Sequence, residues 1–207
     1  MIVDVVYPVR GDCVHVSYPY YLFSALCYLH LLKNLPEVSI LPLRYVSRTG
    51  SLVLLSERSE LVLRAPVDKL AFTPAYANQR LQVGKHTIET GSPEIRPLAP
   101  SRDLACQRVT FVGAPKERAK LQNSLLAQLG VPLEDLRFGE MTRLRVGVHV
   151  QWCIAVQLRN ISKERSLRIQ ATRYGGRGHF GCGHFEPGEL PHELRNTRHR
   201  TIVRPSS

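Results

Sequence analysis

Five glycines fall within nine residues of the segment Tyr174-Gly175-Gly176-Arg177-Gly178-His179-Phe180-Gly181-Cys182-Gly183-His184-Phe185. Glycine admits positive φ and close backbone approach, so successive amides of such a loop can converge on a phosphate. Arg173 and Arg177 flank it with guanidinium forks that match phosphate oxygens. The segment lacks the Gly-Lys-Ser/Thr ending of a P-loop. It also follows a predicted helix and leads into a predicted strand, the reverse of a dinucleotide fingerprint. A glycine-rich hairpin without a ligand is the alternative. His179, Cys182 and His184 have an H-x-x-C-x-H spacing that could hold a metal, but no fourth ligand accompanies them, so neither metal nor cofactor is expected. His149 alternates with Val148 and Val150 on a predicted strand, facing either a ligand or solvent. Trp152, the only Trp, could stack a base or fill the core.

The charge around these groups is basic and uneven. Lys and Arg number 28 against 17 Asp and Glu, a net +11, and 22 of the 28 are Arg. Residues 1–100 carry 10 basic against 8 acidic side chains, whereas residues 101–207 carry 18 against 9. Arginine pairs with phosphate and stacks on bases, so this field suits a nucleic acid on the second half. A hydrophobic content of 43% with 22% charged residues is that of a folded globular chain and excludes disorder and collagen. No apolar run reaches membrane-spanning length, and the start MIVDVVYPVRGD reads as a first strand rather than a signal peptide. Five cysteines without a C-x-x-C pair argue against a disulfide framework, and a reducing, cytoplasmic setting is expected.

The elements that must position these residues can be read from periodicity and punctuation. Ile2–Tyr7 predicts a strand closed by Pro8 and Gly11, and Leu22, Ala25, Leu26, Leu29 and Leu32 mark a helix over Tyr18–Leu32. Short strands follow over 38–43, 51–56 and 60–64, then a helix from Pro66 broken near Pro74, then strands over 81–89 and 94–98. Arg96–Arg102, with two prolines, is the expected linker. In the second half, a strand over 105–112 leads to a helix over 115–129 stopped by Gly130. Strands over 136–138, 141–146 and 148–158 precede a helix capped by Ser162, and Gly183–Glu186 closes the series. Strand–helix–strand–strand–helix–strand, met twice, predicts an α+β protein of two ferredoxin-like (RRM-like) domains in tandem, residues 1–97 and 103–187, with the glycine-rich loop before the last strand. The basic tail, residues 188–207, is expected to order only on RNA.

Ser166-Leu167-Arg168-Ile169-Gln170, Gly175-Gly176-Arg177 and Phe180-Gly181-Cys182-Gly183-His184-Phe185-Glu186-Pro187 together resemble the closing block of the CRISPR precursor-RNA endoribonucleases. This is the "Cas six" class of the repeat-associated mysterious protein superfamily, and the likeness is to its compact branch. Val5-Val6-Tyr7-Pro8-Val9-Arg10-Gly11 and Tyr20-x-Leu22-x-Ser24-Ala25-Leu26 are similar to that branch's first strand and helix. The resemblance implies metal-independent cleavage of CRISPR repeat RNA to mature crRNA, by attack of a 2′-hydroxyl on the adjacent phosphate to leave a 2′,3′-cyclic phosphate. It implies RNA contacts from Arg173, Gly175, Gly176, Arg177, Gly178, His179, Gly181 and Gly183. Repeat RNA is the implied partner, with subunits of a Cascade-like effector complex as further ones.

Such chemistry needs a base for the 2′-hydroxyl and an acid for the leaving 5′-oxygen, and histidine titrates near neutrality. The compact branch carries its histidine just ahead of the first helix, where this chain has Ser17-Tyr18-Pro19-Tyr20. His15, three residues earlier, is the first candidate for proton transfer and His30 the second, with Tyr18 as a phosphate-orienting partner. A non-catalytic RNA-binding subunit of the same superfamily is the alternative function. A generic RNA-binding sheet is a third, but Val109-Thr110-Phe111 offers it only one stacking aromatic.

Overall fold

A computed structural model describes residues 1–29, 32–45, 47–111, 118–191 and 194–195. The first part of the chain runs β1 (Ile2–Arg10), β2 (Cys13–His15), α1 (Tyr18–Leu29), β3 (Ser39–Ile40), β4 (Ser47–Thr49), β5 (Leu52–Leu54), β6 (Glu60–Pro66), β7 (Arg80–Val83), β8 (His86–Thr90) and β9 (Glu94–Pro97). It continues with β10 (Leu104–Thr110), α2 (Arg118–Leu129), β11 (Leu136–Val146), β12 (His149–Leu158), α3 (Lys163–Ala171) and β13 (Glu186–Pro187). No described helix is long and apolar enough to cross a membrane.

Strand alternation makes β1 the spine of the first sheet. Val5, Tyr7 and Val9 enter the core with Leu22 and Leu26 of α1 and Leu61 and Leu63 of β6. Strand β1 pairs antiparallel with β6 on one side. On the other it pairs with β9 through Val3–Val6 and with β8 through Val9–Arg10. The second sheet is antiparallel with order β11-β12-β10-β13, and a small third sheet is β2-β5-β4. With the β7–β8 hairpin set aside, the first sheet reads β3-β6-β1-β9, the same path as the second. Helix α3 begins where expected: the Ser162 hydroxyl accepts from the Arg165 amide at 3.3 Å, and Glu164 sits in the positive first turn.

Several expectations are corrected. Pro8 does not end β1; it sits between the stretches paired with β9 and β8, where its missing N–H breaks no ladder. The predicted strand over 81–89 is a hairpin turning at Gly84-Lys85, with Gly84 at φ +67°. Val67–Tyr76 is a 3-10 segment rather than an α-helix, consistent with Pro74 inside it. The expected linker surrenders Arg96 and Pro97 to β9. Residues 136–146 form one strand with an irregularity between Phe138 and Met141, and the last strand is Glu186–Pro187. At the start of the tail Leu190 is 2% exposed and Arg195 pairs with Glu189.

The first sheet is tied to α3 and to the loop ahead of β13 by a buried cation. Arg64 on β6 forks onto Asp4 of β1 through Nε–Oδ1 (2.7 Å) and Nη2–Oδ2 (2.9 Å). Its Nη1 donates to the carbonyls of Gln170 and Phe185, both at 2.9 Å, in the second half of the chain. Arg44 adds a more exposed link to Glu186 at 3.0 Å.

Candidate active site and nucleic-acid interface

Helix α1 buries Leu22 and Leu26 and leaves Tyr21, Ser24 and Tyr28 on its outer face; Tyr28 is 92% exposed. Between that face and the β7–β8 hairpin runs a groove of about 860 Å³. Two histidines line it, His15 at the end of β2 and His86 at the start of β8, with Arg80, Lys85, Tyr21 and Tyr28. None of the described lining residues is acidic. Gly11 allows this juxtaposition: its φ is +152°, and a Cβ there would stand 3.1 Å from the Thr87 carbonyl, so only glycine lets the β1–β2 turn pass so close to β8.

Both rings are held. The Ser17 amide donates to His15 Nδ1 at 3.1 Å. A backbone N–H can only donate, so Nδ1 accepts and the neutral ring carries its proton on Nε2. The Cys13 sulfur meets His86 Nδ1 at 3.4 Å, which leaves Nε2 as that ring's working nitrogen. His86 does not stand out in the sequence because the hairpin that returns it beside β2 has the pattern of a single strand; the Val83-Gly84-Lys85 turn is the signal that marks it.

The other candidates are placed differently. His30 lies outside the described residues. Tyr18 is 3% exposed and its hydroxyl accepts from the Leu43 amide at 2.9 Å, so it braces the core rather than facing a phosphate. As a phosphate cradle the glycine loop is narrower than expected, because three of its five glycine amides are spent inside the protein. Gly176 N donates to Thr110 Oγ1 (2.9 Å), Gly181 N to Gly178 O (3.3 Å) and Gly183 N to Arg108 O (2.7 Å). Gly178, Gly181 and Gly183 are buried, and His179 stacks on Phe23 with ring centroids 5.1 Å apart while its Nε2 meets Leu35 O at 3.3 Å. Arg173, Gly175, Gly176 and Arg177 remain exposed. The three residues of the H-x-x-C-x-H spacing have separate surroundings: His179 is on Phe23, Cys182 packs with Cys153, and His184 lines a different pocket. Burial pushes the nearby Cys106 thiol up to about 12, so it is no nucleophile at neutral pH.

A second basic surface lies on the β11–β12 hairpin. Arg143 and Arg145 flank buried Leu144 and so share the outer face. The Arg143 guanidinium lies 4.6 Å from the Trp152 ring centre, and His149 is exposed beside the turn.

Comparison with known proteins fits this geometry. A family model described as "Cas6 Crispr" matches residues 3–189. The CRISPR-associated endonuclease Cas6 of Myxococcus xanthus (strain DK1622) is 33% identical over 188 residues, covering 89% of this chain and 81% of that protein. Among solved structures, a CRISPR associated protein Cas6 aligns with a TM-score of 0.64 at 12% identity over 91% of this chain and all of that one. A RAMP protein binding different RNA substrates aligns at 0.55 with 13% identity over 90% and 100%. At such low identity these structures speak to the fold, which is α+β with antiparallel sheets. The family match over most of the sequence, with the curated relative, shows that the chain belongs to the Cas6 family.

Proposed function

We propose that the chain is an endoribonuclease that binds and cleaves CRISPR repeat RNA to mature crRNA, and that the α1–hairpin groove is where it cuts. The observation that carries this reading is the groove itself: two histidines, two cations and two exposed tyrosines with no acidic side chain among the lining residues, in a relative of a CRISPR-associated endonuclease. His86 Nε2 removes the proton of the 2′-hydroxyl, whose oxygen attacks the adjacent phosphorus. The P–O5′ bond breaks, and His15, protonated on both nitrogens once its Nδ1 has left the Ser17 amide, donates from Nε2 to the leaving 5′-oxygen and becomes a neutral ring. Arg80 and Lys85 support the charge on the non-bridging oxygens, and Tyr21 and Tyr28 stack flanking bases. The nucleophile belongs to the RNA, so the step needs no metal-bound water.

Affinity in this reading comes from side chains rather than loop amides. Arg173 and Arg177 at the glycine loop, and Arg143 and Arg145 on the hairpin, pair with phosphates. The architecture is two ferredoxin-like units, residues 1–97 and 103–187, followed by the tail 188–207; the shared strand path of the two sheets supports it. The product stays bound and joins an effector complex. Incubation of the protein with repeat RNA from its own genome, followed by end-group analysis, tests the reading. One site-specific cut leaving a 5′-hydroxyl is expected; tight binding without a cut supports a non-catalytic subunit instead.

A further inference from the structure

Away from the groove, between the first sheet and the end of α3 with the loop that follows it, lies a pocket of about 410 Å³ lined by Glu37, Ser39, Arg64, Arg173 and His184 among others. Its size is within the roughly 300–1,000 Å³ range of small-molecule sites. His184 is 6% exposed, and neither of its ring nitrogens has a hydrogen-bond partner among the described residues. A buried polar group left unpaired is unfavourable, and such groups in native proteins have a reason.

We propose that this pocket takes the edge of one unpaired nucleobase of the bound RNA, read by His184, while Arg173 at the rim holds the adjoining phosphate. The proposal rests on the RNA-binding reading above. A neutral imidazole offers one donor and one acceptor that point apart, so a base edge answers one of the two. Burial, with Arg64 and Arg173 nearby, lowers the pKa of His184 and keeps the ring neutral. A phosphate suits the interior poorly, because four of the five donors of Arg64 are already taken by Asp4, Gln170 and Phe185, and Glu37 adds a negative charge. A metal cation would meet one imidazole between two guanidiniums. An apolar ligand would leave both ring nitrogens unpaired. The acceptors of Glu37 and Ser39 favour a base with an exocyclic amino group over uracil.

Short RNAs test this on the full chain. Hexauridylate should bind through its phosphates, weakening with salt, and a single adenosine or cytidine scanned through it should improve binding about tenfold at one position only. His184→Phe, which keeps a ring but removes the hydrogen bonds, should erase that preference while leaving hexauridylate affinity and its salt dependence unchanged. His184→Gln, which keeps a donor and an acceptor, should restore part of it. A hexamer carrying 5-iodocytidine at the preferred position, irradiated with the wild-type protein, should cross-link to the peptide holding His184 and needs no variant to fold. Hexauridylate binding with no positional preference, a preference that survives His184→Phe, or cross-links only elsewhere would overturn the pocket and leave the RNA reading standing. No binding of any hexamer would overturn both.

Discussion

His15 and His86 carry the proposed proton transfers, and each is fixed by one short contact, Ser17 N on the first and Cys13 Sγ on the second. General acid–base catalysis contributes typically ~10²–10⁴-fold, so His15→Ala and His86→Ala should each slow single-turnover cleavage by about that factor while RNA binding, read by anisotropy, stays within a few-fold. His184 makes a different prediction, in stability. Burial, then the positive charges of Arg64 and Arg173, pull its pKa from 6.5 to about 3. Glu37 is the one acidic side chain lining the same pocket. On acidification the unfolded chain binds this proton first, so the stabilisation is complete above pH 6.5 and is lost as pH falls from there toward 3. One proton per unit is ~1.4 kcal/mol, so urea unfolding should lose ~2 kcal/mol between pH 7 and pH 5, and His184→Phe should flatten that slope. Of these residues, His15 was legible in the sequence because it precedes a clear helix. His86 was not, since its neighbour Cys13 is 73 residues away and reached only through a hairpin whose two short arms pass for one strand.

Among the elements, the glycine-rich loop divides most sharply into what composition reveals and what it hides. Its glycines announce positive φ and close approach, and Gly183 needs both: its φ is +80°, and a Cβ would stand 2.2 Å from the Tyr174 carbonyl oxygen. Gly176 needs neither, with only Thr110 Oγ1 at 3.7 Å. Gly183→Ala should therefore destabilise by at least ~2 kcal/mol, and Gly176→Ala by less than ~1 kcal/mol, measured by thermal or urea unfolding. What composition cannot reveal is which amides are left free. Those of Gly176, Gly181 and Gly183 are consumed by Thr110, Gly178 and Arg108, two of them on a strand far back in the sequence. Helices α1 and α3 were legible because their apolar spacing and the Ser162 cap act locally. The Val67–Tyr76 segment was not, because Pro74 changes the hydrogen-bond pattern without ending the turn series.

At the scale of the whole molecule, the repeated strand–helix order makes the two antiparallel sheets readable, whereas the joint between the two halves is not: Arg64 looks like a stray cation in Leu61-Val62-Leu63-Arg64-Ala65 until its partners on β1, on α3 and ahead of β13 are known. Removing it strands a buried carboxylate and two carbonyls, so Arg64→Ala should cost about 3–5 kcal/mol in urea unfolding, with Arg64→Lys recovering only part because it lacks the fork. The joint matters for function because it holds the glycine loop and α3 against the sheet that carries the groove. The central claim, that a Cas6-family chain cleaves RNA through the RNA's own 2′-hydroxyl in the α1–hairpin groove, is tested most directly with two repeat RNAs in EDTA. One is all ribose; the other has a single deoxyribose just upstream of the cut. The account predicts that the wild-type protein cuts the first to a 2′,3′-cyclic phosphate, binds but does not cut the second, and loses the first cut in His86→Ala. Cleavage of the deoxy-substituted RNA, or a cut of the first RNA that appears only when a divalent cation is restored, would contradict it.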